Sequence, residues 1–170
     1  KYEMLKRIAD AEPTLYGIVF CRTRRETHEI ATRLISDGYN ADALHGDLSQ
    51  QQRDTVMQKF RLRNITILVA TDVAARGLDV TDLTHIIHFS VPEDPQVFTH
   101  RSGRTGRAGK KGTSVLLVQP KDKPFIRMIQ NTLKTPLTES KIPGAEEIFG
   151  KRLSNWIQTI RNAQTSDPNI

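Results

Sequence analysis

The chain is 170 residues long and 37% hydrophobic, with 25 Lys+Arg against 19 Asp+Glu for a net charge of +6. That length buries one substantial core, so one main domain with an appended element is expected, and a pI near 9.7 favours polyanionic partners such as nucleic acid. A single Cys21 excludes an internal disulfide or a multi-cysteine metal site and fits a reducing cytosol, while the lack of a long apolar run or a charged-then-apolar leader predicts a soluble chain with no membrane span or signal peptide.

Tyr2–Ile8 already has helical apolar spacing behind a first residue that is Lys, as expected of a fragment of something longer. Tyr16–Cys21 (YGIVFC) is an apolar run of strand length, and Thr23–Glu26 (TRRE) supplies a capping box for a helix whose apolar face is Ile30, Leu34 and Ile35, closing at Gly38. The pattern then repeats. A short run at Ala41–Leu44 is followed by a second box, Ser49–Gln52, and a helix carrying Val56, Met57 and Phe60. Ile65–Ala70 (ITILVA) reads as a strand, Asp72 as the next N-cap, His85–Phe89 (HIIHF) as a strand, the region near Pro95–Arg101 as a helix, and Thr113–Val118 as a fifth strand. Strands alternating with helices predict an α/β domain with a mainly parallel sheet covered on both faces. Beyond it, Phe125–Leu133 and Leu153–Ile160 read as helices, Thr135–Gly144 carries Pro136 and Pro143, and the final TSDPNI reads as disordered. Residues 1–134 are therefore taken as the domain and residues 135–170 as a linker and helical extension.

In an open parallel sheet, ligands bind at the carboxyl ends of the strands, where loops lead into helix N-termini. Arg22–Arg25 follows the first strand, His45–Asp47 the second, Thr71-Asp72 the third, and His100–Gly109 the fourth by way of a short helix. A basic edge fitted with hydroxyls, glycines and helix N-terminal N–H groups suits phosphate. Within His100–Gly112 (HRSGRTGRAGKKG), Arg101, Arg104 and Arg107 recur every third residue, as do Gly103, Gly106 and Gly109. On a helical turn that step brings the three arginines toward one face, where their planar donor forks suit phosphoryl oxygens. The stretch is no Walker A loop, because Gly109-Lys110 has Arg104 and Lys111 where that pattern needs Gly and Ser or Thr.

Over roughly Lys1–Leu133 the sequence resembles the second, C-terminal RecA-like lobe of bacterial DEAD-box ATP-dependent RNA helicases. IVFCRTRRE (Ile18–Glu26) is similar to their motif IV, LHGDLSQQQRDTVMQKF (Leu44–Phe60) to the Gly- and Q-x-x-R-type region, ATDVAARGLDV (Ala70–Val80) to motif V and HRSGRTGRAG (His100–Gly109) to motif VI. Ser102 stands where an aliphatic residue is more usual and Phe98 where Tyr is common. The resemblance implies a three-layer RecA-like fold, ATP with Mg2+ as cofactor, and RNA and an N-terminal lobe of the same polypeptide as partners. It makes Arg104 and Arg107 arginine fingers toward the γ-phosphate, with His100 coupling motif VI to the other lobe. Asp79 accepts from the ribose with Gly77 close beside it, Thr23, Gly46, Arg53 and Thr71 touch the RNA backbone, and Arg76 ties the lobes together.

Neither G-x-x-x-x-G-K-[ST] nor D-E-A-D occurs, and in this family both belong to the first lobe, which holds the metal. The chain alone is therefore expected to hydrolyse little or no ATP, and a cytoplasmic location is expected. Two other readings stay open: a non-catalytic RNA-binding clamp and a DNA-acting two-lobe relative. His85 and His88, three apart in a strand, face opposite sides and make a poor metal pair. The stripe of Leu153, Trp156, Ile157 and Ile160 either packs back onto the domain or, as the resemblance implies for some bacterial members, begins a dimerisation element over Lys141–Ile160.

Overall fold

The computed structural model of the protein describes residues 1–106, 109–134 and 136–165. In chain order the elements are α1 (Tyr2–Ala11), β1 (Gly17–Cys21), α2 (Arg24–Ser36), β2 (Ala41–Leu44), α3 (Gln50–Arg61), β3 (Ile67–Thr71), α4 (Asp72–Ala75), β4 (His85–His88), α5 (Pro95–Ser102), β5 (Thr113–Leu116), α6 (Lys123–Leu133) and α7 (Ala145–Thr165). The five strands form one parallel sheet in the order β2-β3-β1-β4-β5. This is the parallel α/β architecture that the alternating pattern predicts, and it agrees with the RecA-like fold that the resemblance implies.

The central strands explain why the sheet is covered on both sides. Every residue of β1 and of β3 is buried, which is why both read as unbroken apolar runs. On one face Ile18, Phe20, Leu68, Ala70 and Ile86 pack with Val56, Met57 and Phe60 of α3. Phe60 is fully buried, its ring 4.6 Å from that of Tyr16, whose hydroxyl donates to the Phe60 carbonyl at 3.0 Å. On the opposite face α2 runs along β1, β2 and β3 and buries Thr27, Ile30, Ala31 and Leu34. Ile35 is 52% exposed and does not join that face. Its angular offset of roughly one residue from Leu34, about 100° around the helix, carries it past the sheet.

Caps set the helix starts. The Ser49 hydroxyl accepts from Gln52 N while the Gln52 side chain accepts from Ser49 N, the full box expected for α3. At α2 only half of the expected box forms. Thr23 Oγ1 accepts from Glu26 N at 3.1 Å, but the Glu26 carboxylate accepts instead from Arg22 N at 2.8 Å and from the Ser90 hydroxyl at 2.5 Å. Asp72 is the first residue of α4 rather than its cap, a position taken by Thr71 without a side-chain hydrogen bond. Gly17 is a close-approach position: a Cβ there would lie 2.3 Å from the His85 carbonyl oxygen.

The chain divides into two compact units, Lys1 with Leu15–Thr138 and Tyr2–Thr14 with Glu139–Ile170. The first holds the sheet. In the second, α1 and α7 meet through charges: Lys151 Nζ donates to Glu12 Oε1 at 3.0 Å and Arg152 pairs with Asp10 at 3.5 Å. Phe149, Leu153, Trp156, Ile157 and Ile160 of α7 are exposed, Trp156 by 64%. The helix is longer than the Leu153–Ile160 core of its pattern, and the part of TSDPNI from residue 166 on lies outside the described residues.

Candidate functional site

Parallel register brings the polar clusters to one edge. Cys21 stands beside Thr71, Leu44 beside Ala70, and Phe20 beside His88, so the loops after β1, β2, β3 and β4 leave the sheet together. The sheet order places β3 and β4 on opposite sides of β1, so the strand order reverses there and the loops diverge around an open crevice. A depression of about 470 Å3 lies at this edge, and Asp72, Arg76, His100, Arg101, Gly103 and Arg104 contribute to its lining.

Arg101 and Arg104 do not point together as the step of three suggests. Arg101, in the last turn of α5, is only 4% exposed and turns inward onto Asp72. Its Nε donates to Asp72 Oδ1 and its Nη2 to Oδ2, both at 2.6 Å, while Nη1 donates to the Ser90 carbonyl at 3.1 Å. The guanidinium also lies 5.0 Å from the centroid of Phe20. Two short, parallel, charge-assisted bonds make this the strong form of an Arg–carboxylate pair. It ties the end of β3 to the end of α5, and Ser90 extends the tie to Glu26 and so to the loop after β1. In the sequence Asp72 has the pattern of a helix cap, which hides its partnership with Arg101. The available signal is an acidic residue directly beyond a buried strand, where its charge demands a partner.

Arg104 lies beyond the helix, whose cap is Gly103, so the helical period no longer governs it. It is half-buried, and its Nη1 donates to the Leu78 carbonyl at 3.0 Å. Leu78 sits between Gly77 and Asp79, which brings three of the predicted nucleotide residues to one place. Gly77 has φ +75, a conformation that favours glycine, and Asp79 is exposed. The segment is pinned on both sides by buried Ala75 and Val80, with Leu78 packed against the same core. His100 is exposed on the depression's rim; Arg107 lies outside the described residues. Gly112 closes the loop after α5, since a Cβ there would lie 2.2 Å from Thr105 Oγ1 and 2.4 Å from Gly106 N.

The four residues expected on RNA are spread along the edge rather than gathered in the depression. Thr23 caps α2, Gly46 is exposed after β2 beside Arg24, and Thr71 ends β3 with its side chain largely buried. Arg53 is half-buried and donates from Nη2 to the Ala74 carbonyl at 3.3 Å, tying α3 to α4. Arg24 pairs with Asp47 across the loops after β1 and β2, an exposed pair worth little to stability. The thiol of Cys21 is fully buried, and burial, reinforced by Glu26, pushes its pKa well up, so it is an inert packing group. Among the described residues no cluster of three or more His, Cys, Asp or Glu side chains could hold a metal, and no helix is long and apolar enough to cross a membrane.

A parallel five-stranded sheet with basic, hydroxyl- and glycine-bearing loops at its carboxyl edge defines a RecA-like lobe. Residues 1–109 match the helicase conserved C-terminal domain, and the chain belongs to that family, in its DEAD-box branch. It is 40% identical over 167 residues to the ATP-dependent RNA helicase CshA of Listeria monocytogenes, covering 98% of this chain and 32% of that protein. It is 44% identical over 161 residues to the DEAD-box ATP-dependent RNA helicase CshA of Bacillus subtilis, covering 95% and 33%. Among solved structures, a DEAD box protein from Methanococcus jannaschii superposes with a TM-score of 0.76 at 42% identity, covering 82% of this chain and 38% of that one. The chain spans about a third of the length of the curated relatives it matches.

Proposed function

We propose that this chain is the second lobe of an ATP-dependent RNA helicase, binding the RNA backbone and supplying arginine fingers to ATP hydrolysis that drives local duplex unwinding. The observation that carries the reading is the placement of Arg104, anchored through Leu78 beside Gly77 and Asp79 on an open depression. That donor set fits a nucleotide. The Arg104 fork suits oxygens of a phosphoryl group in transfer, the Asp79 carboxylate suits a ribose hydroxyl, and Gly77 leaves room for close approach. Arg107 joins Arg104 as a second finger and His100 couples the lobes. ATP is completed by Mg2+ held on an N-terminal lobe of the same polypeptide.

RNA lies on Thr23, Gly46, Arg53 and Thr71, read through phosphate and sugar with little base preference, so that affinity falls with salt. The extension over Lys141–Ile160 either packs back onto the chain or begins a self-association element, and the lone Cys21 suits a reducing cytoplasm. Steady-state ATP turnover of the full-length protein, with and without single-stranded RNA, tests the reading beside Arg104→Ala. RNA-stimulated turnover abolished by the substitution supports it. RNA binding without turnover would reduce the lobe to a clamp, and matched RNA and DNA competitors distinguish an RNA-acting from a DNA-acting protein. The isolated chain should turn over little or no ATP.

A further inference from the structure

His88 closes β4, is fully buried, and has no part in the site so far described. Its ring stacks on Phe98 of α5, with centroids 4.7 Å apart and planes 21° from parallel, and lies 6.4 Å from Phe20 of β1. Nε2 is 3.2 Å from the Ser102 hydroxyl and 3.1 Å from the Ser114 hydroxyl, and the two hydroxyls are 2.8 Å apart. Three polar atoms thus form a closed ring joining β4, the last residue of α5 and the edge strand β5.

The other ring nitrogen assigns the proton. Nδ1 is buried and has no hydrogen-bond partner among the described residues. A buried N–H without an acceptor is rarer and more destabilising than a bare lone pair, so the proton belongs on Nε2. Nε2–H then donates into the serine pair, within which one hydroxyl donates to the other. Burial, seconded by the Arg101 guanidinium, pushes the imidazole down to about 3, so the ring stays neutral and this donor pattern persists across the physiological range.

We infer that His88 is a positioning residue for Arg104, acting through Ser102 to hold the end of α5 against β5. Ser102 is the last helical residue, Gly103 caps it, and Arg104 N donates back to the Arg101 carbonyl at 3.1 Å. Only one residue separates the anchored hydroxyl from Arg104. The Arg101–Asp72 pair grips the same turn from the β3 side, and His88 of β4 with Ser114 of β5 grips it from the other. With the second grip removed, the direction in which the chain leaves α5 toward Leu78 rests on Arg101 alone. This inference rests on Arg104 being the phosphate-contacting arginine.

Ser102→Ala tests it with the least disturbance to folding, and Ser102→Thr restores the hydroxyl. In the full-length protein Ser102→Ala should lower kcat for RNA-stimulated ATP turnover roughly 3- to 10-fold, the span of one net hydrogen bond, with KM for ATP unchanged and with recovery in Ser102→Thr. In an Arg104→Ala background the same substitution should have no further effect. Wild-type turnover in Ser102→Ala, or an undiminished loss in the Arg104→Ala background, overturns the inference. Nitrogen-15 spectra of this chain give a readout independent of turnover: Ser102→Ala should shift the Gly103 and Arg104 amides, and the His88 ring should report the neutral Nε2–H form. Unmoved amides or an Nδ1–H ring overturn the inference. If the wild-type protein lacks RNA-stimulated turnover, the helicase reading falls and the spectra alone judge the positioning role.

Discussion

The last turn of α5 and the turn that follows it carry the same residue type to opposite ends. Arg101 is 4% exposed, chelates Asp72 with two bonds of 2.6 Å and accounts for how β3, β4 and α5 are joined at the edge. Arg104, three residues on, keeps one bond to a carbonyl and stays at the rim of the depression. The first is scaffold and the second is available for chemistry. A repeated arginine motif is therefore not a set of equivalent cations, because a guanidinium with a carboxylate within reach in a desolvated place is committed to it.

The largest effect that would sharpen this contrast is on turnover. Arg104→Ala should lower RNA-stimulated ATP turnover of the full-length protein by about 100-fold or more, as expected for an arginine finger, while its unfolding free energy falls by only about 1 kcal/mol for one lost hydrogen bond. Equal losses in both measurements would erase the distinction. Arg101→Ala should show the reverse bias, destabilising by about 2 to 3 kcal/mol in chemical denaturation. That figure sits below the value for a fully buried pair because Asp72 is 43% exposed. Arg101→Lys should recover little, since one ammonium cannot reproduce the two-pronged contact.

A smaller effect concerns the other grip on the same turn. The folded pKa of His88, about 3, lies below its ordinary 6.5, so between these values the unfolded chain binds a proton that the folded chain does not. Stability from this residue is present in full above pH 6.5 and is lost as the pH falls toward 3. From pH 6.5 to 5.5 the loss should be about 1 kcal/mol, and a His88→Gln variant should lack that component. Identical pH slopes for the two proteins would remove His88 from the account. Smallest of all should be Trp156→Ala: with the ring 64% exposed, stability should change by no more than about 0.5 kcal/mol.

Legibility in the sequence followed how local each cause was. β1 and β3 were readable because burial on both faces makes the run itself apolar, and the Ser49–Gln52 box was readable because all its partners lie within one turn. The Thr23–Glu26 box was only half readable. Its carboxylate left the local partner for Arg22 N and for Ser90, which is 64 residues away. Ile35 fell outside the buried face for a similar reason, since the sheet's position, not the helix period alone, decides which of two adjacent apolar residues is covered.

The candidate site divides the same way. That loops carrying Thr23, Gly46, Thr71 and Arg104 lie on one edge follows from strand order along the chain and the parallel sheet it predicts. That Arg104 rests on Leu78 between Gly77 and Asp79, that Arg101 is occupied by Asp72, and that His88 reaches Ser102 and Ser114 came only from the folded chain. Sequence by itself determined the alternation of elements, the family motifs and the charge of the edge, because these depend on periodicity and composition within short windows. The tertiary structure alone decided which cations stay available and which histidine reaches the serine pair, because a side chain's partner is set by what lies within about 3 Å in space, however far along the chain it comes from.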